Sequence, residues 1–453
     1  MANNAVAKHP GVCDPERQPL LAGNSKDAVV KDLDAGDLET QHIPAGHAKF
    51  KRLGWKRLTV IAIVEAIALG SLGLPSAFAA LGMVAGVILT VVIGLGAMYA
   101  GYIVGQVKLM YPEVAHYADV GPLIMGRWGS KIFIGSFVSL LVCAIGSHTL
   151  TGAIALRTIT QSDMCSVIFS VLAAVIMMLL AVPPSFAEIA ILGYIDFASI
   201  VLAIGVTMVA TGIQSSGSSD WSAWPKSDTS FISAINACNI IVFSYSYAGC
   251  LPSFMEDMHT PKDYTKAMWW LGGVQIVIYT LTGSIIYAFV GQSVQSPALL
   301  SAGPLLSRIT FGIALPVIFI SGSINTTVVC RYIYGKVYQK EPEGWGSWLS
   351  LVLSITGIAW AIAEAIPIFS SLLSIISALF ISGLSFYLPP VMFYMLLMKG
   401  AWYEKHNLKP VLYNAMVFVV GMVIFFCGGY ASIADLVYKF QSGSIGTPFT
   451  CSA

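Results

Sequence analysis

Residues 65–75 read Glu65-Ala66-Ile67-Ala68-Leu69-Gly70-Ser71-Leu72-Gly73-Leu74-Pro75, and they interrupt an apolar run, from about 58 to 80, that is otherwise long enough to cross a bilayer. An uninterrupted spanning helix has no use for Gly70, Gly73 and Pro75 so close together, with a carboxylate one turn upstream. Glycine loosens the backbone, and proline lacks an N–H and crowds the preceding turn, so the helix is expected to kink or unwind here. Broken backbone at membrane depth persists only where protein buries it or where it lines a cavity. A binding site at the break is therefore the first expectation. Close helix packing is the plainer alternative, because Gly and Pro are common in membrane helices. A second interruption far along the chain, Phe243-Ser244-Tyr245-Ser246-Tyr247-Ala248-Gly249, favours the first.

Composition sets the class. Of 453 residues, 56% are hydrophobic and 10% charged, and the mean hydropathy is +0.77. Soluble domains carry about 25% charge, so the pattern is that of a polytopic, all-α membrane protein. A net charge of +1 says nothing about nucleic acid, no basic aromatic patch argues for it, and no nucleic-acid partner is expected. The eight cysteines lack metal-type spacing, and neither a cofactor nor a metal is expected. Residues 1–48 mix charged residues with Gly and Pro and hold few aromatics, which predicts a disordered tail. No cleavable signal peptide is expected, since the first apolar segment is too long for one.

Eleven apolar segments follow, at about 57–80, 83–110, 131–158, 165–183, 187–213, 231–256, 265–291, 308–335, 345–364, 367–398 and 411–438. Each approaches or exceeds the roughly 20 residues a spanning helix needs. Pro389-Pro390 should bend the tenth near its end. With the N-terminus placed in the cytoplasm, alternation through eleven crossings puts 20 of the 24 Lys and Arg inside. Only Arg157, Lys226, Arg308 and Lys439 fall outside, as the positive-inside rule requires. The C-terminus is then extracellular, and Cys165 and Cys451 are the only cysteines outside, free to pair.

The polar stretch 214–230 is the longest between segments and divides the chain into five helices before (49–213) and five after (231–398). A final part, 399–453, carries the eleventh segment. The two interruptions head the two halves, and five is odd, so the halves enter the membrane from opposite sides. Matching interruptions in an inverted repeat point to a transport site.

The run Gly70-x-Leu72-x-Leu74-Pro75, the Phe243-Ser-Tyr-Ser-Tyr247 run and the segment count resemble the amino acid/auxin permease family. Glu65 ahead of Leu69-Gly70 makes the chain most similar to its fungal neutral amino acid permeases of the methyltryptophan-resistance type. The resemblance covers about 50–440. It implies the five-plus-five inverted-repeat fold of the amino acid–polyamine–organocation superfamily. It also implies proton-coupled uptake of neutral amino acids, aliphatic and aromatic, at the plasma membrane. Sodium coupling, exchange, or an amino acid sensor on the same scaffold stay open as alternatives.

An amino acid is a zwitterion, so a dry site needs donors for its carboxylate and acceptors for its ammonium. Backbone N–H groups at Gly70, Ser71 and Leu72 and the positive end of a half-helix suit the carboxylate, with the Ser71 hydroxyl as an extra donor. As in the superfamily, carbonyls near Ala66–Ala68 and Phe243–Ser244 would take the ammonium. Gly146, Ser147, Tyr245 and Tyr247 would shape the side-chain pocket, or simply pack. Charges inside a bilayer are costly, which makes Glu65, Asp196 and His148 the proton-coupling candidates; structural hydrogen bonding is the alternative for each. Ser321, Asn325 and Thr326 of the eighth segment would serve a sodium ion, or act as interhelical glue. Glu188, Glu256, Asp257, Glu364 and Asp435 fall at segment ends and are expected to be solvated.

Overall fold

In hydrocarbon every backbone amide must find its partner within the protein, and the described residues contain helix and no strand. The computed structural model describes residues 54–162, 164–183, 189–214, 220–256, 258–338, 345–443 and 448–451, with the side chains of 65, 68, 189–192, 337 and 338 outside the description. The expected disordered tail, Glu188, Asp257 and residues 215–219 of the dividing stretch lie outside the described residues.

Helical structure falls in each expected segment. The first five are α1 (Trp55–Leu81), α2 (Met83–Met110), α3 (Gly121–Thr160), α4 (Ser166–Leu180) and α5 (Ile189–Gln214). The sixth segment is split into α6 (Phe231–Ser244) and a short α7 (Leu251–Glu256). Then come α8 (Tyr264–Val290), α9 (Pro304–Tyr338), α10 (Trp345–Ala365) and two further helical spans, Phe369–Leu397 and Lys405–Gln441. Eight of these helices are long and apolar enough to span a membrane, and bent α1 makes nine; α4 and α6 are shorter.

Two boundaries differ from expectation. Helix α3 begins ten residues before 131, because a short turn from Gly121 runs into it across a kink at Met125-Gly126, where Gly126 has φ +57°. Pro389-Pro390 does not simply bend its span. It sits in a short α-helical stretch, Leu388–Met392, between two π-helical stretches, Ser377–Tyr387 and Phe393–Leu397, whose wider turns absorb the missing N–H.

The close approaches follow the small residues. A Cβ on Gly101 would lie 2.6 Å from Met268, and one on Gly105 2.0 Å from the Tyr264 ring, so this glycine pair seats α2 on α8. Gly82, between α1 and α2, has φ +80° and lies against the Trp224 backbone. There Met83 and Val84 donate to the carbonyls of Ser222 and Ala223, which docks the described part of the dividing stretch across one end of the helices. The Ser222 amide donates to the Tyr287 hydroxyl at 3.0 Å. At the same end, by the alternation of segments, Cys165 is disulfide-bonded to Cys451.

The opposite end carries a polar ring. Buried Lys108 at the end of α2 donates to the Pro112 carbonyl at 2.8 Å and pairs with Glu256 at the end of α7. Lys336 pairs with Asp119 at 2.8 Å, and the His116 amide donates to Asp119 at 2.9 Å. The His116 Nδ1 lies 2.8 Å from the Ser253 hydroxyl. Glu256 was expected to be solvated; it is 46% exposed, but it neutralises a lysine that is itself 6% exposed.

Two outcomes are expected. In the oxidised protein Cys165 and Cys451 resist maleimide labelling and react only after reduction, which mass-tag electrophoresis reads directly. The second concerns His116, whose imidazole burial pushes below its ordinary pKa of 6.5, against the opposing pull of Asp119. The unfolded chain therefore takes up this proton before the folded one, so stability is full above about pH 6.5 and falls on acidification below it. Hydrogen exchange over residues 112–120 should accelerate as pH drops from about 7.5 to 5.5, and His116→Asn should flatten that response.

Candidate functional site

Helix α1 is bent by 52° between Trp55–Val64 and Leu69–Leu81. The backbone stays helical through Gly70–Pro75, so the bend falls about a turn earlier than the glycines and proline suggest. Two hydroxyls account for its place. Ser71 donates back to the Ile67 carbonyl at 2.8 Å, and Tyr279 of α8 donates to the Ala66 carbonyl at 2.8 Å. Side chains that claim ladder carbonyls open the helix on that side. Pro75, with no N–H, leaves the Ser71 carbonyl without its helical partner as well.

Helix α6 ends at Ser244, and Tyr245 has the non-helical angles φ −106°, ψ 37°. The last carbonyls of a helix lack partners and carry about half a negative charge. Here they converge on α1. The Ser244 hydroxyl donates to the Gly70 carbonyl at 3.0 Å and lies 3.1 Å from the Ile240 carbonyl. The Ser244 carbonyl is 2.8 Å from the same Tyr279 hydroxyl that reaches Ala66. A Cβ on Gly70 would come within 2.8 Å of the Ser244 Cα, so only glycine lets the two breaks meet.

The expected binding residues distribute around this junction. Ala66, Gly70 and Ser244 contribute carbonyls to it. The side chains of Glu65 and Ala68 lie outside the described residues. Leu72 and Phe243 are buried. The Ser71 proton is committed to Ile67 within its own helix. The tyrosines turn toward α2, not α3: Tyr245 donates to the Thr90 carbonyl at 2.9 Å, and the Tyr247 ring lies against Gly101. Gly146 faces α10, where a Cβ would meet the Ala359 carbonyl at 2.9 Å, and Ser147 donates back to Cys143 at 3.1 Å.

A second polar group lies along α9. Ser321 donates to the carboxylate of fully buried Asp196, from α5, at 3.2 Å. His148, from α3, packs against Gly322 one residue on, and its ring reaches the Ile318 backbone. One turn of α9 thus stands between two of the three coupling candidates. Asn325 donates to the Ser321 carbonyl and Thr326 to the Gly322 carbonyl, both within α9. Of the three possible cation ligands, Ser321 is the one whose hydroxyl donates to another helix in these contacts.

Three residues escaped the sequence reading. Tyr279 and Gln275 stand four apart on α8, one turn on one face, and both are fully buried. Gln275, the one polar side chain in the apolar run 267–278, with Tyr279 at i+4, was the available signal. Glu364 is the third. It was expected to be solvated, yet it is 9% exposed and accepts from Ser170 of α4, which in turn accepts from the Trp360 indole at 3.0 Å. A carboxylate supplied with a donor can stay in a helix interface.

The family model for transmembrane amino acid transporter proteins matches residues 51–434, which takes in both breaks and the α9 group. The chain belongs to that family. The transporter is 52% identical over 439 residues to the N amino acid transport system protein of Neurospora crassa, covering 93% of each chain. It is 26% identical to a transmembrane transporter of Gibberella moniliformis, covering 94% of this chain and 93% of the other. It is 24% identical to one of Fusarium pseudograminearum, covering 99% and 97%. These relatives are transporters, and the chain is not an enzyme.

The junction makes its own prediction. Ser244→Ala removes the donor to Gly70 and should cost about 1–3 kcal/mol, read as a lower Tm of the purified transporter. Gly70→Ala forces the two breaks apart and should abolish amino acid uptake, while a control at open Gly205, Gly205→Ala, leaves it intact.

Proposed function

We propose that the transporter is a secondary active symporter that imports neutral amino acids, aliphatic and aromatic, together with protons. It works by alternating access across the plasma membrane. On this reading eleven helices cross the bilayer, the N-terminus is cytoplasmic and the C-terminus extracellular, and α1–α5 and α6 through the Phe369–Leu397 span form inverted repeats.

The observation that carries the reading is the meeting of the two breaks, where the carbonyls of Ala66, Gly70 and Ser244 converge. Convergent acceptors at the negative end of a half-helix suit an ammonium, and the resumed helix beyond the α1 bend presents its positive end to a carboxylate. Among the described residues, the side chains at the junction are apolar or hydroxyl-bearing, with the uncharged Gln275 amide beside them, which suits an uncharged substrate side chain. Buried acid favours protons over sodium: Asp196 lies inside the bundle and Glu65 at the α1 bend. Neither the substrate nor the proton needs a cofactor.

Uptake of labelled phenylalanine and leucine into proteoliposomes, under imposed proton or sodium gradients, tests the reading. Inward proton gradients should drive accumulation, and either Glu65→Gln or Asp196→Asn should abolish it while exchange persists. Whichever variant does so identifies the coupling acid. Accumulation driven by sodium alone would overturn proton coupling and move the site to Ser321. Binding without accumulation would make the protein a sensor.

A further inference from the structure

The Tyr279 hydroxyl has one proton and two carbonyls to serve. It sits 2.8 Å from the Ala66 carbonyl and 2.8 Å from the Ser244 carbonyl, one on each broken helix. At any instant one of these oxygens receives the proton and the other faces a lone pair. In a buried setting that second contact is unfavourable, and the arrangement suits a group with several N–H donors and a positive charge far better.

One helical turn earlier on the same face, Gln275 is fully buried; its amide N–H side reaches the Tyr279 hydroxyl, while its amide oxygen lacks a hydrogen-bond partner. The Tyr247 hydroxyl, on the broken stretch after α6, is buried and without a partner as well. A buried amide oxygen left without a donor is rare and calls for an explanation. A partner that arrives only in another state of the protein supplies one. Gln275 is where a displaced Tyr279 hydroxyl can go: its amide oxygen offers an acceptor within a turn.

We propose that Tyr279 is a stand-in for the substrate's ammonium. Its hydroxyl holds the two carbonyls while the site is empty, and the incoming ammonium displaces it toward Gln275. The proposal rests on the ammonium being bound at the α1–α6 junction, and it adds α8 to the binding site as the element that senses occupancy. Tyr279 is then a competitor of the substrate and not a ligand. Removing the hydroxyl therefore strengthens binding, whereas removing Gln275 weakens it.

The test is equilibrium binding of phenylalanine to the full-length transporter in nanodiscs, for wild type, Tyr279→Phe, Gln275→Leu and the double variant. Tyr279→Phe should bind phenylalanine about three- to tenfold more tightly, the span expected of one hydrogen bond. Competition by 3-phenylpropionate, which has no ammonium to fill the vacated acceptors, should not improve. Gln275→Leu should bind phenylalanine more weakly, and in the double variant that loss should vanish, since no hydroxyl is left to relocate. Weaker binding by Tyr279→Phe would make the hydroxyl a direct ligand and overturn the proposal. Unchanged binding would make it a structural bond and overturn it equally. If Tyr279→Phe fails to fold, 3-fluorotyrosine at position 279, a stronger donor of the same shape, should weaken binding, and tighter binding would sink the idea. A wild type that binds neither phenylalanine nor leucine would overturn the amino acid reading itself, a result separate from any effect at Tyr279.

Discussion

Carbonyls at a bend or an end of a membrane helix draw any added donor from packed neighbours, and the middle of this fold is arranged around three carbonyls that hydroxyls reach. Those of Ala66, Gly70 and Ser244 share two hydroxyls, Ser244 and Tyr279. Water cannot reach them, since Ser244 and Tyr279 are fully buried, so the donors have to come from packed helices. That requirement fixes the approach of α6 to α1, which in turn demands Gly70, and it fixes α8 beside both. The local cost of each break is met by the tertiary contact that holds the breaks together.

The same arrangement links packing to motion. Four carbonyls and two hydroxyl protons, counting the Ile240 contact of Ser244, form a set with more acceptors than donors. Such a set is satisfied only in part, and a ligand that brings donors can reorganise it. At the ends of the bundle the contacts are of another kind. Lys108–Glu256 and Lys336–Asp119 close one end with charge, and the Ser222–Tyr287 contact and a disulfide hold the other. The Lys336–Asp119 pair, with its lysine half exposed, contributes little and rearranges readily. A disulfide does not. The asymmetry places the yielding contact at the end that Lys336 and Asp119 close.

Much of the fold was legible because membrane physics writes it into composition. Long apolar stretches with polar gaps have few solutions in lipid, and helices occupy every stretch so read. The breaks were legible as well, from Gly70, Pro75 and the hydroxyl-rich run after Phe243. The place of the α1 bend was not, because it depends on Tyr279, more than 200 residues away, taking a carbonyl from the ladder. Local sequence reports where a helix is weak; a distant donor decides where it opens. Which helix Tyr245 and Tyr247 turn toward was not legible, for a related reason. After the break the chain turns by non-helical angles, so helical spacing no longer tells which neighbour a side chain meets. Glu364 misled because position near a segment end was read as exposure, while α4 supplied a donor from the side.

The α9 group raises a question of distance that the fold itself answers. Asp196 and His148 flank one turn of α9, whereas the converging carbonyls belong to α1 and α6. If a proton on Asp196 is to favour one state of the carbonyl junction, the two must share an element with two arrangements. Helix α1 meets that description, since it packs on both α5 and α8 and bends between its halves. Helix α9 is one long helix from Pro304 to Tyr338 with Pro316 inside it. On the proposed proton coupling, protonating Asp196 would alter the carboxyl that accepts from the Ser321 hydroxyl, a contact between α5 and α9. Because α5 also packs on α1, such a change would reach the element whose Ala66 carbonyl, at the bend, the Tyr279 hydroxyl holds. Coupling then needs no relay of side chains from acid to substrate; it needs a hinge held at both ends.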